Sequence, residues 1–300
     1  MPGKQEILFH DRYEGRLRAE AVFGEKPLRW AYETTLGRLC LEGVIKRRWF
    51  SGLYGRWADT RRSAKEIAPF IARFGVDPTE FLDPPESFRS FNEFFHRRLR
   101  PESRPLAPGP DTVVFPADGR HLLVPDLSLE CPIYAKGRRF DLATFLGDPA
   151  LAEQFAAGCA VLSRLCPTDY HRFHFPLEGE SGNPRLINGS LYSVNPIALA
   201  RSLRYLHENK RRVTEIRNAR IGSYLFVEIG ATNVGSIVDT AAPGPVTKGG
   251  EKGYFRFGGS MVATLFPRGV LLPERDLAGQ SAAGFELYAR MGDRMGTLAG

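Results

Sequence analysis

The sequence predicts an α+β protein with a helical N-terminal third over a β-rich, sheet- or barrel-like body. Three observations carry this. Residues from about 15 to 100 contain few internal glycines and space apolar side chains three and four apart, as at Ile67, Phe70, Ile71 and Phe74, the period of a helix with one buried face. The stretch PESRPLAPGP at 101–110 has four prolines and suits neither a helix interior nor a central strand. Beyond it the chain breaks into short runs rich in Val, Ile, Phe and Tyr, punctuated by glycine and proline, as strands are.

Taken in order, the helical third is interrupted at Pro84-Pro85, after which Ser90 and Glu93 form a capping-box pattern that opens a short helix through Phe94, Phe95 and Leu99. The proline-rich 101–110 stretch is the expected boundary. Strands are expected at TVVFPADG, AVLSRL, GSLYSV, SYLFVEIG, VGSIV and MVATLF, with one helix near Leu142 to Ala157. The 31 glycines and 22 prolines imply many turns and argue against an all-helical bundle. There is no internal repeat, and no G-x-G-x-x-G opens a helix after a strand, so a dinucleotide-binding fold is not indicated.

Composition narrows the function classes. With 300 residues, 43% hydrophobic and 25% charged, the chain is neither disordered nor fibrous. Four cysteines at 40, 131, 159 and 166 form no C-x-x-C pair, which fits a reducing compartment better than a disulfide framework. The N-terminus, MPGKQEILFHDRYEGRLRAE, lacks the apolar run of a secretion signal, and no run approaches the roughly 18 apolar residues of a membrane span. A soluble or peripheral protein is expected.

The net charge of +7 is concentrated: between Arg38 and Arg73 nine Lys or Arg face three acids, with Trp49, Phe50, Leu53, Tyr54 and Trp57 interleaved. A basic amphipathic helix with aromatic residues is the sequence form of an in-plane membrane anchor. A solvated face of an ordinary core helix has the same charge pattern. Nucleic-acid binding would rest on charge alone, since no reading module is present.

Three clusters carry chemistry. His171 and His174 in YHRFHFPLEG point to opposite faces if the segment is a strand and converge if it turns. Cys166 with these two histidines lacks a fourth ligand, so no metal site is expected. Asp118 in VFPADGR reads first as an Asp-Gly turn and second as a carboxylate orienting a histidine in an Asp-His-Ser relay. Gly258 and Gly259 precede Ser260 inside an otherwise strand-like run. There, glycine marks a tight turn or a backbone pliable enough for Ser260 Oγ to reach the carbonyl of its own peptide bond.

Together PADG, DYHRFH, GSLYSVNP at 189–196, ENKRRV at 208–213, EIGATNVGSI at 228–237 and KGGEKGYFRFGGS at 248–260 resemble the phosphatidylserine decarboxylase family, in order along the chain. SFNEFFHRRLRPESRPL, from residue 90, resembles it too. On the basic, aromatic pattern between Arg38 and Arg73, residues 1–100 are expected to be a helical, basic, membrane-associating region. The resemblance implies residues 101–300 as the catalytic domain, self-cleaved between Gly259 and Ser260 into a β chain (1–259) and an α chain (260–300). By that resemblance Ser260 attacks the Gly259 carbonyl and becomes a pyruvoyl group, the cofactor, which forms a Schiff base with phosphatidylserine and releases CO2 to give phosphatidylethanolamine.

The resemblance further implies His174 as base for the attack, Asp118 as its orienter and His171 as the residue that assists decarboxylation, with Tyr192 and Asn195 lining the substrate pocket. It implies a peripheral place on the cytoplasmic face of the cell membrane, with phosphatidylserine and an anionic surface as partners. Homo-oligomer formation is left open. The chain departs from the family at Met261, where Ser or Thr is common; that hydroxyl is not the nucleophile, so cleavage is expected to survive. Two other readings are a pyruvoyl decarboxylase of a soluble amino acid and a lipid-binding paralogue that stays whole.

Overall fold

The structure, a computed structural model, describes residues 6–128, 141–202, 204–232, 237–258 and 260–299. Gly259, Cys131 and residues 233–236, which take in the first three residues of the expected VGSIV strand, lie outside the described residues.

The architecture is α+β, as the sequence predicts. Among the described residues, an 11-stranded mixed sheet forms the centre of the body. At its middle the Ser260–Phe266 strand lies between Gly222–Gly230 and Cys159–Leu165, antiparallel to both. Two three-stranded sheets accompany it: Ile237–Asp239, Glu251–Phe255 and Arg172–His174 form one, and Leu271–Pro273, Arg294–Leu298 and Thr112–Val114 the other.

Side chains alternate between the two faces of a strand, and the central strands are apolar on both. Leu225, Val227, Ile229, Met261, Ala263 and Leu265 share one cluster with Phe145, Leu146 and Phe155 of the helices Leu142–Leu146 and Pro149–Phe155. On the other face Tyr224, Phe226, Val262 and Phe266 pack with Phe173 and Phe255 of the first small sheet. Ser260, two residues before Val262, belongs to this second face.

A third cluster joins the N-terminal third to the body. Phe70, Phe81, Phe91, Phe94 and Phe95 pack with Phe257, two residues before Gly259. Ser90 caps the helix as read, its Oγ accepting from Glu93 N–H at 3.2 Å, while the Glu93 carboxylate accepts from the N–H of Arg89, one residue before the cap, at 2.6 Å; the helix is Phe91–Phe95 and stops short of Leu99.

Three further expectations are corrected. Residues 16–19, read as helical, form the strand Arg16–Ala19, paired antiparallel with Leu8–Asp11, which in turn runs parallel to Glu286–Ala289. Asp11 directs this turn by accepting from the backbone N–H groups of Tyr13 and Glu14. GSLYSV is buried without being a strand, because the Asn209 side chain takes up both backbone groups of Tyr192, each at 2.8 Å, in place of a neighbouring ladder. The helix expected near 142–157 is two, broken where Gly147 adopts φ 60° and Asp148 caps the second.

Candidate active site

Ser260 opens the central strand, with its backbone opposite Gly230 on one side and Leu165 on the other. Its side chain is fully buried and, among the described residues, Oγ has no hydrogen-bond partner. A buried hydroxyl left unpaired costs about 1–3 kcal/mol, and such atoms in folded proteins call for an explanation such as a chemical role. Gly258, two residues earlier, adopts φ 137°, a backbone region that a residue with a Cβ rarely enters. Met261 points away, into the core on the opposite face. A hydroxyl at that position would therefore not share the face of Ser260.

The histidines approach along the neighbouring chain. From Leu165, opposite Ser260, the backbone continues through a loop to Arg172–His174, which pairs with Glu251–Phe255, the strand that leads back to Ser260. His171 is fully buried against Phe95, ring centres 3.7 Å apart, and Phe95 also packs on Phe257 at 4.8 Å. His171 Nδ1 lies 2.9 Å from the Asp169 carbonyl. A carbonyl only accepts, so Nδ1 carries the proton and Nε2 presents a lone pair. That Nε2 has no partner among the described residues. Burial pushes the His171 pKa down to about 3, with the Asp169 carbonyl opposing, so the imidazole is neutral near pH 7.

His174 is held in the same tautomer, Nδ1–H donating to the Gly249 carbonyl at 3.0 Å; its Nε2 accepts from the Tyr170 hydroxyl at 3.2 Å. Burial lowers its pKa; the Gly249 carbonyl, Glu251 and Asp118 oppose this, and Arg172 reinforces it.

Asp118 is buried, and its carboxylate accepts from Arg104 Nε and Nη2, the latter at 2.6 Å, and from Met291 N–H at 2.9 Å. Among the described residues it hydrogen-bonds neither histidine; it acts on His174 through its charge. Asp118-Gly119 is not a free turn. Gly119 begins the strand Gly119–Val124, and a Cβ there would stand 2.4 Å from the Arg164 carbonyl.

An apolar cavity of about 350 Å³ runs up to Leu165, paired with Ser260 in the sheet, and to Gly258, two residues before it in the chain; it is lined by Phe23, Leu28, Phe50 and Tyr54 from the N-terminal third and by Asn195 from the body. Tyr192 does not line it. Its hydroxyl meets Lys46 and Glu42 beside a separate polar cleft. At the polar end of the apolar cavity Glu20 pairs with Arg164, which also pairs with Glu286. Burial would raise the Glu20 pKa, but Arg164 and Arg120 overrule it and hold it at about 2.

Sequence reasoning brought out Asp118, His171, His174, Ser260 and Asn195, and passed over Arg104, Tyr170, Phe95 and Glu20. Tyr170 had a signal, its place inside DYHRFH. Arg104 stood in a segment read only as a boundary.

The comparisons agree on one family. The model described as phosphatidylserine decarboxylase matches residues 91–297. The phosphatidylserine decarboxylase proenzyme of Chlamydia muridarum is 42% identical over 293 residues, 97% of each chain. That of Desulfitobacterium hafniense is 38% identical over 291 residues, 97% of this chain and 98% of the relative. That of Clostridium novyi is 39% identical over 292 residues, 97% of this chain and 99% of the relative.

Proposed function

The chain belongs to the phosphatidylserine decarboxylase family, and from that premise we propose that it cuts itself between Gly259 and Ser260 and decarboxylates phosphatidylserine to phosphatidylethanolamine at an anionic membrane surface. The observation that carries this reading is the pair of buried atoms, Ser260 Oγ and His171 Nε2, unpartnered among the described residues, beside an apolar cavity. The donor set fits a pyruvoyl group derived from Ser260, because a hydroxyl already withdrawn from water is replaced there by a carbonyl. Such a group supplies an electrophilic carbonyl and a sink for the electron pair left when CO2 departs.

The protein's own residues supply the rest. His174, neutral and fixed in its tautomer, is the base for the attack of Ser260, and Asp118 favours the imidazolium through its charge, as an orienting carboxylate does. Phe95 holds His171 in place for the proton transfers of decarboxylation. Asn195 borders the substrate cavity. Residues 1–100 are the membrane-associating part of this reading, and 101–300 the catalytic part.

Support for a lipid substrate comes from the helix Arg48–Ala58. Phe50 and Tyr54 line the apolar cavity, whereas Trp49, Leu53 and Trp57, four apart, are exposed with Leu36 and Leu39 nearby in sequence. Exposed aromatic and leucine side chains among basic residues suit the headgroup boundary of a bilayer. No helix of the described residues is long and apolar enough to cross a membrane; the exposed apolar stripe among basic residues is what favours the reading of peripheral attachment, on the cytoplasmic face.

Intact mass measurement of the purified protein tests this reading. Two polypeptides are expected, the second beginning at residue 260 with a ketoacyl group in place of its amine, together with CO2 release from phosphatidylserine vesicles. A single whole chain that still decarboxylates would overturn it.

A further inference from the structure

A second cavity, about 400 Å³, lies against the same loop and differs in kind from the first. Cys166 and Pro167 line the apolar cavity, whereas Thr168, Asp169 and Tyr170 line the second, so five consecutive residues form a partition. The second cavity is walled by charge, including Arg97, Arg104, Asp118 and Arg120. Arg97 is buried over the rings of Phe81 and Phe94, has no carboxylate partner among the described residues, and leaves Nε without a hydrogen bond. A roomy polar cavity with unsatisfied donors is one that water fills.

The proposed chemistry needs such a compartment. Turning a serine into a ketoacyl group consumes one water and releases one ammonia, and each decarboxylation takes up one proton. A lipid seated in the apolar cavity excludes water from that side. On the other side Asp118 and Tyr170 both line the polar cavity, and the Tyr170 hydroxyl is bonded to His174 Nε2.

We propose that the polar cavity is the aqueous port of the active centre and that the Tyr170 hydroxyl passes protons between it and His174. The inference rests on the reading of His174 as the base. The proton balance closes: protonated His174 gives Nε2–H to the Tyr170 oxygen while Tyr170 gives its own proton to water in the cavity. Tyr170 ends unchanged and one proton has moved outward.

Tyr170→Phe keeps the ring and removes the hydroxyl. Four other groups face His174: Glu251 from the opposite strand, Asp118 from the loop before Gly119, Arg172 on its own strand, and the Gly249 carbonyl. All remain in the variant. A hydroxyl donating to the lone pair favours the neutral imidazole, so its loss raises the pH at which His174 takes up a proton.

In the full chain, Tyr170→Phe is expected to slow self-cleavage at least tenfold and to move the acid limb of its pH–rate profile upward. An unchanged rate and limb overturn the inference. A second measurement does not depend on cleavage: in the Ser260→Ala chain, NMR titration of the His174 ring gives a higher midpoint with Tyr170→Phe than without, and an unmoved midpoint also overturns it. His174→Ala separates the two levels. Normal cutting in that variant overturns the reading of His174 itself, whereas dependence on His174 without dependence on Tyr170 overturns the port alone.

Discussion

The N-terminal third and the β body distribute polarity in opposite ways. The first exposes Trp30, Leu36, Leu39, Trp49, Leu53 and Trp57 to solvent; among the described residues beyond 100, the large apolar side chains left exposed are Leu106, Leu186 and Leu272. The body instead buries charge: Asp118, Arg120, Arg164, Asp169, Glu228, Lys252 and Glu286 are all withdrawn from water. Each arrangement costs stability in isolation, and each is explained by what it meets. Apolar side chains left in water fit a surface that closes over them, whereas buried ions persist because each has a partner, as Lys252 has in Glu228 and Arg104 in Asp118.

The largest expected effect lies in the body. Ser260→Ala leaves a single band near 33.5 kDa on a denaturing gel and abolishes decarboxylation, while vesicle binding by the N-terminal third is retained. Loss of both together would break the division between the regions.

Next comes the ion pairing. Arg104→Met strands the buried Asp118 carboxylate and is expected to cost about 3–5 kcal/mol in urea unfolding. Trp49→Ser, on the exposed stripe, changes stability by no more than about 0.5 kcal/mol. Its effect appears in cosedimentation, where losing a tryptophan worth about 1.5–3 kcal/mol of burial weakens vesicle binding tenfold or more.

Acid sharpens the contrast further. Burial holds His121 and His171 at about 3, well under the ordinary 6.5. Below pH 6.5 the unfolded chain takes up protons that the fold refuses, so their stabilisation is full above 6.5 and drains as pH falls toward 3. Glu20, depressed to about 2, adds a second loss as pH falls from its ordinary 4.5. Urea midpoints should fall from pH 7 to 5.5 to 4, and His121→Gln should shrink the loss of stability across the first interval by about 1.3 kcal/mol in all.

The smallest effect is one surface charge. Arg62→Ala should weaken binding to anionic vesicles by about 1 kcal/mol at low salt, with the difference fading as ionic strength rises.

The sequence made parts of this legible because certain residue types stand where ordinary folding does not need them. Paired glycines before a serine, and two histidines three apart, single out Ser260, His171 and His174 as candidates, and the ordered motifs of the family resemblance give them their expected roles. The partners were hidden by distance or by disguise. Glu20 meets Arg164 across 144 positions, and Arg104 meets Asp118 from a proline-rich segment that signals only irregular backbone. The N-terminal hairpin escaped notice because its four-residue strands are too short to show a period and gain their place from pairing with Glu286–Ala289, at the far end of the chain. Nor does the sequence tell that Met261 and Ser260 face different cores; that follows from the strand's burial on both sides.

The position of Ser260 at the head of a central strand has a mechanical consequence. The polypeptide after it is threaded through the rest, with Ser260–Phe266 between Gly222–Gly230 and Cys159–Leu165, and Glu286–Ala289 between Gly119–Val124 and Leu8–Asp11. A nick ahead of Ser260 therefore frees nothing. The two pieces stay laced together like warp and weft, and pulling them apart means unravelling the whole cloth.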